Sequence, residues 1–170
     1  MRRIIPAALL AAAALTGCRE GTVHDKAYLR AAAVDGDRIT MSFFSDIGPV
    51  EVAAASPSEA VSAAELRLGR EVFTGFTELI ILGDCPPAET LSELFTEWEL
   101  PSSCITAAGR GSLLLDTSPE LLSGSVRQAQ AQGELPDCDI VTVLSGLLGK
   151  KKTAQAPELG SGGVSGICQF

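Results

Sequence analysis

The sequence holds one histidine, His24, and few aromatic residues: one Trp, one Tyr and six Phe. It has no excess of positive charge, no C-x-x-C pair and no apolar run long enough to cross a bilayer, which takes about 20 residues. Each shortage excludes something. The scarcity of rings argues against a stacking platform for bases or a carbohydrate cleft. A formal net charge of −8 repels nucleic acid and anionic headgroups. The cysteine spacing does not suit a redox motif or a zinc knuckle. His24 falls in a short polar stretch, where a base is not held within hydrogen-bond reach of a nucleophile. Gly163-Val164-Ser165-Gly166 lacks the spacing of a nucleophile elbow, and Gly109-Arg110-Gly111-Ser112 lacks the Lys-Ser/Thr ending of a phosphate loop, so it reads as a turn after a strand. Asp35 and Asp37 resemble the start of a calcium loop, but no Glu stands at its twelfth position. The sequence therefore points to binding or assembly rather than catalysis, with no metal and no cofactor.

What is present begins at the N-terminus. Arg2 and Arg3 precede an apolar stretch, Ile4 to Ala14, of secretory length, and Leu15-Thr16-Gly17-Cys18 follows. This tetrapeptide resembles the bacterial lipobox, in which the thiol of the cysteine receives a diacylglycerol before cleavage. The expectation is a lipoprotein signal peptide over 1–17, a lipid-anchored tether over 18–25 and a single domain over 26–170, anchored on the extracytoplasmic face of a membrane through acylated Cys18. The leader carries Arg2 and Arg3 and no acidic residue, so its removal leaves 153 residues and moves the net charge from −8 to −10. Beyond Cys18 stand Cys85, Cys104, Cys138 and Cys168. Three disulfide connectivities and four buried free thiols are all open readings.

Along the domain, two strand-compatible runs, Ala27–Val34 and Arg38–Phe44, flank Asp35-Gly36, a strong hairpin signal. Ile39, Met41 and Phe43 alternate with Thr40, Ser42 and Phe44, as in a half-buried strand. Val50–Ala54 predicts a third strand. Ser56-Pro57-Ser58-Glu59 carries the capping-box pattern of a helix start, with Ala60, Ala63, Ala64 and Leu68 on one face. Phe76–Leu82 predicts a strand and Pro86-Pro87 a helix whose core face is Ala88, Leu91, Leu94, Phe95 and Trp98. A strand over Ser103–Ala108 follows, then a helix opened by Thr117-Ser118-Pro119-Glu120. A fourth helix is capped by Asp137 and presents Ile140, Val141, Val143, Leu144, Leu147 and Leu148 to the core. Gly160-Ser161-Gly162-Gly163 reads as a flexible joint before a last strand, Val164–Phe170. The alternation predicts an α/β fold: a mixed β-sheet with an N-terminal hairpin and about four helices packed on it.

The order of these segments resembles the N-terminal domain of the Ger(x)C lipoproteins, the C subunits of the nutrient germinant receptors of endospore-forming bacteria. The likeness lies in the lipobox, the polar tether, the strand Lys26–Asp35 that ends in Asp, the capped helix, and Thr74-Gly75-Phe76 followed by a strand that ends in Gly83-Asp84. Pro157-Glu158-Leu159 with Gly163–Phe170 resembles the family's Pro-rich joint and following strand. The family's Trp-Asp after the cysteine is Arg19-Glu20 here, and its His is Phe76. The resemblance implies an accessory subunit of a spore nutrient germinant receptor complex in the cell membrane or inner spore membrane. Its partners would be integral-membrane receptor subunits, bound by protein–protein interaction. The partner surface is expected around the hairpin, at Arg30, Asp35, Gly36 and Arg38, because that segment follows the tether. The alternative is a free-standing extracytoplasmic lipoprotein that binds a small solute.

Overall fold

The computed structural model describes residues 25–170; Cys18, the leader and most of the tether lie outside the described residues. Strand β1 (Lys26–Asp35) turns through Gly36-Asp37 into the antiparallel β2 (Arg38–Phe43), which pairs with β3 (Val50–Ala53). Gly36 takes a φ of 63°, a left-handed conformation that glycine adopts without steric cost. The turn is thus one residue later than the Asp-Gly pattern implies: Asp35 closes the ladder opposite Arg38, which frees its side chain for another task. Helix α1 (Pro57–Leu68) leads to β4 (Glu71–Phe73), which runs parallel to the first residues of β1. Strand β5 (Leu79–Leu82) runs parallel to the last ones. Helix α2 (Pro87–Glu97), β6 (Ile105–Ala108), the short α3 (Leu113–Asp116), α4 (Pro119–Ala131), α5 (Ile140–Leu148), β7 (Gln155–Gly160) and β8 (Gly163–Gln169) complete the chain. The main path across the sheet is β3-β2-β1-β5-β6-β7-β8, with β4 also on β1.

The sheet is mixed and covered on both faces, so the molecule has two cores. One face buries Leu29, Ala32, Met41, Ile80 and Leu82 under Ala60 and Ala64 of α1, Leu91 and Leu94 of α2, and Ile140 and Val143 of α5. The other buries Ala31, Ala33, Leu79, Ile81 and Ala107 under Leu114 of α3 and Leu122 and Val126 of α4. A register shift between Leu29 and Ala31 reverses the alternation of β1, which is why Leu29 and Ala31 enter opposite cores. Pairing on both sides and burial on both faces explain the near-continuous apolar runs of β1 and β5.

The N-terminal hairpin and the mixed sheet are as the sequence predicts, and the described residues form five helices rather than four. The extra one is α3, a single turn. Strands β4 and β7 were also unforeseen, and the predicted strand from Phe76 starts at Leu79, leaving Phe76 58% exposed. The cap of α5 is Asp139, not Asp137: its carboxylate accepts from the Thr142 amide at 2.9 Å and the Thr142 hydroxyl at 2.7 Å. Val141 and Leu148 face outward, and Phe95 is only partly buried, whereas Leu91, Leu94 and Trp98 are core. Gly160–Gly163 is the tight end of the β7–β8 hairpin rather than a loose joint. The four described cysteines are free thiols, and Cys104 and Cys138 sit in opposite cores.

Candidate functional site

The parallel strands β1, β5 and β6 end at the same edge of the sheet. From β1 the chain first builds outward through β2 and β3, then returns to build β5, β6 and β7 on the other side. The carboxyl ends of β1 and β5 therefore form a topological switch point, where open α/β sheets have a crevice. Asp35 stands in it. Its Oδ1 accepts from the backbone N–H of Asp84 at 3.0 Å and its Oδ2 from that of Gly111 at 3.2 Å. The Gly36 N–H donates to the Asp84 carbonyl at 2.9 Å, and the Gly83 N–H to that of Val34 at 2.8 Å. One carboxylate thus joins the ends of three segments: the β1–β2 hairpin, the β5 terminus and the loop after β6.

Glycine is required around this latch. A Cβ on Gly111 would lie 2.5 Å from the Asp35 Cβ, and one on Gly83 would lie 2.9 Å from its carboxyl carbon. The turn-like Gly109–Ser112 segment therefore does more than reverse the chain; it delivers an amide to Asp35. The ends of two segments quoted above, Lys26–Asp35 and the strand that ends in Gly83-Asp84, meet here.

Around the latch opens a cavity of about 440 Å³, lined by Arg38 and Arg110 and by Asp35, Asp37, Glu51 and Asp84. A second cleft of about 400 Å³ shares Gly36 and Asp84 with it and runs toward Cys85 and α2. Burial, the largest influence on Cys85, pushes its thiol above the ordinary range, so it is a weak nucleophile there. Among the described residues, no group of three His, Cys, Asp or Glu side chains is placed to hold a metal ion. No described helix is long and apolar enough to cross a membrane.

Of the residues expected to bind a partner, the structure brings Asp35, Gly36 and Arg38 together on this rim. It separates Arg30 from them. Arg30 donates to Glu78 at 3.1 Å and also to Glu120, and its guanidinium lies 4.7 Å from the Phe44 ring, toward the other end of β1. Strand β1 is ten residues long, so the hairpin lies about 30 Å from the point where the tether joins the domain. The hairpin is thus close to the tether in sequence and a strand's length from it in space. Arg110, Gly111 and Asp84 were missed as rim residues. A glycine just past each of two apolar strands, Gly83 and Gly109, was the available signal. No family model matches this chain, and no curated protein or solved structure matches it.

Proposed function

We propose that the chain is a membrane-anchored lipoprotein that serves as an accessory subunit of a spore nutrient germinant receptor complex. It binds integral-membrane receptor subunits through the rim around Asp35, Gly36 and Arg38, while acylated Cys18 keeps it on the extracytoplasmic face of the cell membrane or inner spore membrane. The observation that carries this reading is the Asp35 latch. Three segments are joined before any partner arrives, so docking orders little that was loose, and a modest interface suffices. Confinement by the lipid raises the effective concentration near membrane partners as well.

The same crevice favours a second reading, capture of a small solute. Two cationic and several anionic side chains converge on a space of about 440 Å³, which suits a small zwitterion. Photo-crosslinking from positions 38 and 110 in the source organism separates the two. The receptor reading expects adducts with multi-span subunits. It also expects gene deletion to slow nutrient-triggered germination while sparing agents that bypass receptors. Normal germination of the deletion strain with every nutrient, together with no multi-span adduct, overturns it in favour of solute binding.

A further inference from the structure

The chain has eight aromatic residues, and four of them, Tyr28, Phe44, Phe73 and Phe76, gather at the end of the sheet opposite the rim. Tyr28, Phe73 and Phe76 form a closed trio with ring centroids 5.1–5.8 Å apart. Phe44 lies next to Tyr28, to whose carbonyl its N–H donates at 3.0 Å, and its ring carries the Arg30 guanidinium at 4.7 Å. Phe76 is 58% and Phe44 44% exposed. In an acidic protein, three carboxylates at this end each face a cation: Glu71 is paired with Lys26, Glu120 with Arg30, and Glu78 with Arg30 and, at 3.8 Å, Arg127. Exposed Phe beside Lys and Arg is a composition of surfaces that lie at the boundary between headgroups and acyl chains.

We infer that this aromatic end is a second membrane contact, seated in the interface of the bilayer that carries the lipid anchor. The inference rests on the acylated Cys18 of the proposed function. The length of chain selects the occupant. Lys26 is eight residues beyond Cys18 and lies over the Phe73 ring, so an extended tether places the patch no more than about 28 Å from the anchor. The lipid and the rings then hold the domain at two points, with β1 standing away from the membrane and the Asp35 rim about 30 Å above it. A surface contact of this kind is weak alone; the diacylglycerol on Cys18 supplies two chains and the retention, and the rings fix how the domain sits on the bilayer.

The protein's one tryptophan, Trp98, is buried, so an added indole reports on its own surroundings. The test uses the full acylated chain in phosphatidylcholine vesicles with or without bromine on the acyl chains. Phe76→Trp is expected to lose most of its added emission in brominated lipid, and Asp37→Trp in the hairpin none. An acylated, vesicle-bound Phe76→Trp protein with unquenched emission overturns the inference while leaving the anchor intact. Quenching at both positions overturns the upright orientation. A chain whose Cys18 carries no diacylglycerol by mass spectrometry removes the premise and overturns the inference by that route. Absence of crosslinks from the rim bears only on the receptor reading.

Discussion

Asp35 shows how one side chain sets the shape of a surface. Removing its carboxylate takes the side-chain acceptor from the amides of Asp84 and Gly111; the first bond is exposed and the second part-buried, so water replaces part of what is lost and the cost is about 1 kcal/mol. Asp35→Ala is therefore expected to lower unfolding free energy by about that much in a urea titration, with the slope unchanged. It should also weaken crosslinking from position 110, because the loop after β6 loses its tie. The thiols give a second expectation. Burial, reinforced by the charge of Glu78, pushes Cys104 up to about 12. Burial, with Asp139 and Asp137, pushes Cys138 up to about 11. Both stay protonated and shielded at neutral pH, so a thiol reagent should modify only Cys85 and Cys168 among the four in the native protein. Their own thiols are also raised by partial burial, so the reaction should be slow. Peptide mass spectrometry before and after denaturation reads this directly; rapid native labelling of Cys104 or Cys138 would contradict the core placement.

Three helices begin at polar caps. Ser56 accepts from the Glu59 amide and Ser118 from the Leu121 amide, each followed by proline in the first turn. The Glu59 carboxylate reaches back to the Ala55 N–H at 3.0 Å, one residue earlier than the usual capping box. Asp139 caps α5 by the same chemistry, and Asp139→Ala should cost about 1 kcal/mol in a denaturant titration. Partial burial pushes this carboxyl up, but the hydrogen bonds from the Thr142 side chain and nearby amides outweigh it and hold it below the ordinary carboxylate value. A carboxylate depressed by folding contributes stability at neutral pH and loses it as pH falls through its folded value. The gap between wild type and Asp139→Ala should therefore narrow in acid. A gap that stays constant from neutral pH to below the carboxylate range would refute the assignment. In α2, Trp98 just past the last turn donates from its ring nitrogen to the Pro57 carbonyl at 2.9 Å, tying α2 to the start of α1.

At the scale of the whole molecule, the sheet separates two ends with different chemistry. The rim is polar and carries unlike charges around a crevice; the opposite end is aromatic, with Glu71, Glu78 and Glu120 paired to Lys26, Arg30 and Arg127. On the proposed reading, a single sheet would hold lipid at one end and a partner at the other without a hinge. Under the proposed acylation, Cys18→Ala leaves no thiol at that position to receive the diacylglycerol. In cells lacking any partner, the aromatic contact alone is too weak to retain the acidic domain, so fractionation should find the variant off the membrane. Retention undiminished from wild type would mean that another attachment holds it.

The elements legible in the sequence were those whose cause is local. Gly36 turns the hairpin because its own φ is positive, Ser56 and Ser118 cap because their oxygens reach amides three residues on, and Leu91, Leu94 and Trp98 share a face by helical spacing alone. Strand β7 was hidden because Pro157 reads as a break; the sheet accepts it where β7 meets β6 through the single pair Ala108–Glu158. Strand β4 was hidden because three residues beside β1 carry no periodicity. The two aspartates before α5 looked alike until Asp139 was the one whose backbone stood in position to cap. The candidate site was half visible. Sequence marks Asp35, Gly36 and Arg38, since they are neighbours in the chain. Gly111 lies 76 residues from Asp35, and Tyr28, Phe44, Phe73 and Phe76 are spread over nearly fifty. Only the parallel pairing of β1 with β4 and β5, and of β5 with β6, sets those amides and rings side by side, because strand order is decided by which buried faces fit together rather than by any residue's own preference.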